Sequence, residues 1–319
     1  MNCKDGVMLK LTFVPGAVIV ILIVTAVVAA IWLWTPDKDR ASLESRYANG
    51  PNDFIEVAGL RLHVRDSGPR DAPVVILLHG FGASLHTWEP WAQVLASDRR
   101  VIRFDMPGAG LTGADPTGDY TDTRGVQVLM ALMDKLGVQR ANIVGHSMGG
   151  RLAWRFAAEQ PARVDKLVLI APDGFASAGF EYGKKPNVPA TLKLMKFVLP
   201  KAILRMSLAP AYANPLAMTD AMVERYHDLM LAPNVRASMI AKMEQSILQD
   251  PVPLLKRITA PTLLLWGDKD AMIPVGNSAD YLGALPNATL VTLPEAGHLL
   301  HEEVPSALQI VKTFLDKKS

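Results

Sequence analysis

Gly145-His146-Ser147-Met148-Gly149 is the stretch that most restricts what this chain can fold into. An apolar run from Asn142 to Val144 leads into it and a helix-like run from Arg151 to Gln160 leaves it. Strand, sharp turn and helix therefore follow one another, with a serine at the apex. A turn tight enough to lift the serine Oγ clear of a sheet leaves no room for side chains two residues to either side, which accounts for both glycines. The pattern predicts a nucleophile at Ser147. An ordinary glycine-rich turn is the competing explanation, but it would predict none of the partner groups found further along the chain.

The surrounding pattern is that of alternating strands and helices. Phe54–Val57 and Leu60–Val64 flank Ala58-Gly59 as a hairpin. Val74–Leu78 is continuously apolar, as in a strand covered on both faces. Val101–Phe104, the run into the serine turn, Lys166–Ile170, Thr262–Trp266 and Thr289–Leu293 read as further strands, Thr121–Leu136 as a helix, and Pro305–Lys317 as a closing helix. This alternation predicts an α/β fold with a doubly wound, mostly parallel sheet, in two parts, 54–175 and 258–319. Between them, 176–257 reads as proline-broken helices without an obvious strand, a helical cap inserted into the sheet domain.

The chain begins differently. Leu11–Pro36 carries no charged residue, and Val18–Leu33 is almost wholly Val, Ile, Leu and Ala. That length of apolar sequence is enough to span a bilayer, and Trp32 and Trp34 fall where interfacial tryptophans are favoured. Residues 1–36 are therefore expected to be an N-terminal membrane anchor in a transmembrane helix. Cleavage as a signal peptide after Val28-Ala29-Ala30 is the competing reading, disfavoured by the length of the run and by Ile31-Trp32-Leu33-Trp34 behind it. The signal-like start favours an extracytoplasmic catalytic domain, although the positive charges on either side of the run do not decide orientation. Residues 37–53 read as a linker. In the cap, Lys184 to Arg205 holds six basic and no acidic residues among apolar ones; this fits either a lipid-facing helix or a solvated cap helix.

Composition excludes several classes. With 319 residues and half of them hydrophobic, the chain can bury a large core. A net charge of +2 and no basic run interleaved with aromatics give no sign of nucleic-acid binding. The single cysteine, Cys3, excludes an intrachain disulfide and a cysteine zinc site. No metal-ligand spacing stands out and no cofactor is expected; the oligomeric state is not legible.

A serine hydroxyl needs a base, a group to orient that base, and donors for the developing oxyanion. In open α/β sheets such groups gather at the carboxyl ends of strands. His298, in the loop after Thr289–Leu293, is the expected base; His301 begins the next turn, and His63, His86 and His227 read as structural or exposed. Asp270, three residues after Gly267, is the expected acid, with Asp268 and Asp173 as alternatives. The order Ser147, Asp270, His298 is that expected for such a sheet. The oxyanion hole would use the backbone amides of Met148 and of Phe81, in the loop His79-Gly80-Phe81-Gly82.

Together, His79-Gly80-Phe81-Gly82, the Gly145–Gly149 turn, Trp266-Gly267-x-x-Asp270 and Gly297-His298 resemble the α/β-hydrolase fold superfamily over about Phe54 to Lys317. Within it the chain is similar to the lipase/esterase, monoacylglycerol-lipase-like branch, and the apolar N-terminus resembles that of its membrane-anchored members. The resemblance implies a serine hydrolase that cleaves carboxylic esters, of lipid-like or other hydrophobic kind, through an acyl-enzyme. Haloalkane dehalogenases and epoxide hydrolases have aspartate where this chain has Ser147. Carbon–carbon hydrolases of ring-cleavage products usually have asparagine where this chain has His146, which lowers that alternative without removing it. Acyltransferases and perhydrolases share the same triad. The expected partners are a small hydrophobic ester and, through the N-terminal helix, a membrane.

Overall fold

The computed structural model describes residues 15–177 and 181–317. Eight strands form one sheet: β1 (Phe54–Val57), β2 (Leu60–Ser67), β3 (Val74–Leu78), β4 (Arg100–Phe104), β5 (Ala141–His146), β6 (Val164–Ile170), β7 (Thr262–Gly267) and β8 (Ala288–Leu293). Their order is β1-β2-β4-β3-β5-β6-β7-β8. β2 runs antiparallel to β1 and β4, and every other neighbouring pair is parallel.

The apolar runs are continuous because helices cover both faces. Ile76 and Leu78 on β3, Ile143 on β5 and Leu169 on β6 pack on one side with residues of helices Asp122–Lys135 and Met148–Glu159. Val75, Leu77, Val144 and Val168 point to the other side, against helices Glu89–Leu95 and Ser306–Asp316. Successive strand residues thus enter opposite cores, which is the period-two geometry of a strand buried twice.

Between β6 and β7 the regular elements of the described residues are helical, the longest being Asp220–Met230 and Val235–Gln245. They form a third core with Leu199, Leu204, Tyr226, Leu229 and Met239, joined by Ala83 and Leu111 from the sheet loops and by Leu43. The basic stretch is not one continuous helix: it divides into Ala190–Lys193 and Lys201–Leu208 around Pro200. Lys184, Lys193, Lys201 and Arg205 each pair with a carboxylate, so most of its charge is matched within the protein.

The N-terminal region departs from expectation in two ways. Residues 37–53 are not a free linker. Helix Arg40–Tyr47, capped by Asp39, docks on the helical region. The buried Asp228 carboxylate accepts hydrogen bonds from Lys38 (2.5 Å), Arg46 (2.7 Å) and Tyr47 (2.9 Å). Burial opposes ionisation of Asp228, but these hydrogen bonds and the charges of Lys38 and Arg46 outweigh it and hold the carboxyl below its ordinary range. Asp37 pairs with the buried Arg236 at 2.7 Å. The segment could not be read as docked because its partners lie some 190 residues away.

The second departure concerns the anchor. Residues 1–14 lie outside the described residues. Among the described residues no helix is long and apolar enough to cross a membrane, so the expected transmembrane helix is not carried by the structure. The structure has instead a 19-residue helix, Pro15–Leu33, with only part of its side chains described. Ile19, Ile23, Val27, Ile31 and Trp32 on it are exposed.

Candidate active site

Loops from the carboxyl ends of β3, β5, β6, β7 and β8, five adjacent parallel strands, converge on one place. β5 ends at His146, and Ser147 follows with φ 52° and ψ −119°. That left-handed backbone costs a non-glycine residue about 1–3 kcal/mol, which the surrounding hydrogen bonds hold in place. The Ser147 amide donates to the Ile170 carbonyl at 3.0 Å, and the Ser147 carbonyl accepts from Arg151 (3.0 Å) and Asp173 (3.1 Å).

The flanking glycines are required by close approach. A Cβ on Gly145 would stand 2.3 Å from the Gly149 carbonyl oxygen; one on Gly149 would stand 2.4 Å and 2.5 Å from the carbonyl oxygens of Leu78 and His79. Backbone cannot yield to a methyl as a flexible side chain can. Gly149→Ala is therefore expected to cost about 3–5 kcal/mol and to lower Tm by about 4–8 °C in a chain of this length. A melting curve within a degree or two of the wild type would show that the turn tolerates a side chain.

The structure brings Asp270 and His298 together. His298 Nδ1 lies 2.8 Å from Asp270 Oδ2, while Asp270 Oδ1 accepts from the amides of Met272 (2.9 Å) and Ile273 (2.8 Å). A carboxylate only accepts, so Nδ1 carries the proton and Nε2 is left as an acceptor. Both side chains are buried. Gly267 allows the β7 and β8 loops to meet, since a Cβ there would lie 2.1 Å from the Ala296 carbonyl oxygen; Gly297 lets the β8 loop meet the helical region, where a Cβ would lie 2.5 Å from the Ala213 amide nitrogen.

Ser147 and His298 line a cavity of about 310 Å³, together with Phe81, Met148, Met243, Met272 and Ile273. Phe81 and Met148, whose amides are the expected oxyanion donors, thus border the same space as the serine. Neither amide donates to another main-chain group among the described residues. His79 shapes the first loop: its Nε2 accepts from the Met106 amide at 3.0 Å and its Nδ1–H donates to the Gly80 carbonyl at 2.8 Å. Burial lowers its pKa to about 4 and keeps it neutral.

The other candidates fall elsewhere. His301 packs 4.4 Å from both Trp88 and His146, its pKa lowered to about 3 by burial. His63 is bonded to the buried Asp105 at 2.7 Å, His86 to the Tyr47 carbonyl, and His227 to the Leu199 carbonyl; all three are buried rather than exposed. Asp268 is exposed. Asp173 borders the cavity but pairs with Arg151 at 2.9 Å.

Sequence reasoning passed over Arg151 and Lys242 here and used His146 only to separate related chemistries. His146 donates from Nε2 to the His298 carbonyl at 3.0 Å, tying the residue before the serine to the loop of the base; burial holds its pKa well below the ordinary value. Arg151 and Lys242 both line the cavity. Arg151 stands one helical turn after Ser147, a spacing that places it near the site from sequence alone.

A sequence profile described as the alpha/beta hydrolase fold matches residues 73–305. The chain belongs to the α/β-hydrolase family. It is 27% identical over 248 residues to a 2-hydroxy-6-oxo-6-phenylhexa-2,4-dienoate hydrolase of Burkholderia cepacia, covering 76% of this chain and 86% of the relative. The crystal structure of a putative lipase from Acinetobacter baumannii is similar with a TM-score of 0.74 and 25% identity, over 88% of this chain and 97% of that one. A membrane phospholipase A described as a bacterial virulence factor shares the fold at 24% identity and TM-score 0.71, over 94% of this chain and 96% of that one. As an α/β-hydrolase the protein is a hydrolase; what it cleaves is a separate question.

Proposed function

We propose that this α/β-hydrolase cleaves hydrophobic carboxylic esters by a serine mechanism. The observation that carries the reading is the 2.8 Å bond between His298 and Asp270 beside the cavity that Ser147 borders. His298 Nε2 takes the Ser147 proton as Oγ attacks the ester carbonyl, and the amides of Phe81 and Met148 hold the oxyanion. The alcohol leaves with the proton from His298, and water then releases the acid from the acyl-enzyme. Asp270 holds the tautomer and stabilises the imidazolium. The lining of Phe81, Met243, Met272 and Ile273 supports an apolar substrate.

A fluorophosphonate probe reacts only with an activated serine, so it is expected to label the full-length chain and to leave Ser147→Ala unlabelled. Equal labelling of both proteins would remove Ser147 from the mechanism. A second reading, hydrolysis of a carbon–carbon bond in ring-cleavage dienoates, is favoured by the likeness to the Burkholderia dienoate hydrolase. Turnover of such a dienoate with no turnover of aryl esters would select it.

We also propose that helix Pro15–Leu33 attaches the protein to a membrane. Its exposed apolar side chains support this, as does Trp34, which stacks on Phe197 at 5.6 Å; Leu194, Ile203 and Met206 are exposed as well. The full-length protein is expected to float with phosphatidylglycerol–phosphatidylethanolamine vesicles, and Ile23→Glu/Val27→Glu to stay in the dense fraction. Flotation of the double variant at the wild-type level would discard the attachment.

A further inference from the structure

The cavity over Ser147 holds a charge that ester hydrolysis leaves unused. Lys242 lies on helix Val235–Gln245 and borders the cavity with Ser147, Met148 and His298. Met239, Lys242, Met243 and Ser246 recur at helical spacing, so this is the inward face of the helix, where an apolar residue would pack without cost. Lys242 Nζ donates to the Pro107 carbonyl at 2.8 Å and has the Tyr120 ring 5.9 Å away. A carbonyl does not neutralise an ammonium.

The carboxylates near the cavity are already matched. Asp173 takes Arg151 Nη1 at 2.9 Å, and Asp122 stands 3.1 Å from Arg151 Nε and 3.5 Å from Arg155. Arg151 spends its other arm on Ser246 Oγ at 2.8 Å. Among the described residues Lys242 has no carboxylate within ion-pair distance, so it is the unmatched cation of the cavity wall. Burial lowers its pKa to about 8, and the Arg151 charge pushes the same way while Asp122 opposes it. Near neutral pH it is still charged. Lys242 is half-buried, and an ammonium partly withdrawn from water without a counter-ion carries a cost that is recovered when a ligand supplies one.

We propose that Lys242 is an anion subsite of the cavity and binds a carboxylate or phosphate group that the substrate carries away from the bond cleaved. The substrate class is then a short apolar chain, lying along Phe81, Met243 and Ile273, that ends in an oxyanion. The kinetic part of the test rests on the serine-hydrolase reading; the binding part does not.

The test compares mono-p-nitrophenyl adipate with p-nitrophenyl hexanoate, esters of equal chain length with and without a terminal carboxylate. The ratio of their kcat/KM values is expected to fall about tenfold or more in Lys242→Met, and to be largely retained in Lys242→Arg. Calorimetry with adipate alone should show binding to the wild type and to Lys242→Arg and its loss in Lys242→Met, with Lys242→Gln as a second charge-free variant. An inorganic phosphate arm separates the two oxyanions by which binds more tightly. If neither ester turns over but adipate binding depends on Lys242, the hydrolase reading fails and the subsite stands. An unchanged kinetic ratio with equal adipate binding in wild type and Lys242→Met overturns the subsite, as does absence of adipate binding to the wild type.

Discussion

Ser147→Ala is expected to lower kcat/KM for a p-nitrophenyl ester by about 10⁴-fold or more, with an unchanged melting temperature. The alanine methyl fits the space of the hydroxymethyl and leaves every backbone contact of the turn in place, because those contacts use the Ser147 amide and carbonyl rather than the hydroxyl. What disappears is the atom proposed to form the acyl-enzyme. The pairing of His298 with Asp270 survives, so the cavity keeps its charge and shape, and residual hydrolysis would come from the oxyanion donors alone. Turnover within tenfold of the wild type, measured at saturating and at low ester, would mean that another group attacks.

Asp270→Asn is expected to cost about as much, roughly 10⁴-fold in kcat, for a reason particular to this loop. The amides of Met272 and Ile273 both donate to Oδ1, and only Oδ2 faces His298. An asparagine must keep its oxygen towards the two amides, since its NH₂ would meet two donors there. Its NH₂ therefore faces His298 Nδ1 and donates to it. The imidazole is forced to carry its proton on Nε2, the nitrogen proposed to accept from Ser147, which would disable the base while the packing is kept. The check is twofold: loss of kcat, and a nitrogen NMR shift of His298 that reports Nε2–H in place of Nδ1–H. Retained activity with the Nδ1–H signal would show that the loop amides do not dictate the orientation.

The strands and the place of the serine were legible because their signals are local. Val74–Leu78 and the run into Ser147 show continuous apolarity, and the Gly145 and Gly149 spacing reports a clash distance of about one methyl group. Asp270 and His298 were legible as a pair only through a rule of topology, since nothing in either loop alone names its partner. Other residues carried no such sign. Arg40–Tyr47 is polar, and its attachment through Asp228 depends on a residue far along the chain. Lys242 looks from sequence like one more cation on a helix of mixed composition. Its meaning comes from the absence, among the described residues, of a carboxylate beside it, a property of the surroundings and not of the residue.

The amino-acid sequence by itself determined the sheet, the order of its functional loops and the residues set at the ends of its strands, because strand burial and tight turns depend on neighbours a few residues apart. Only the tertiary structure decided which side chains share the space over Ser147. It matched Arg151 to Asp173 and Asp122, left Lys242 without a counter-ion among the described residues, and docked helix Arg40–Tyr47 of the expected linker. Those outcomes depend on distances between segments that meet only when the chain has folded, where burial makes an unmatched charge costly and a matched one stable.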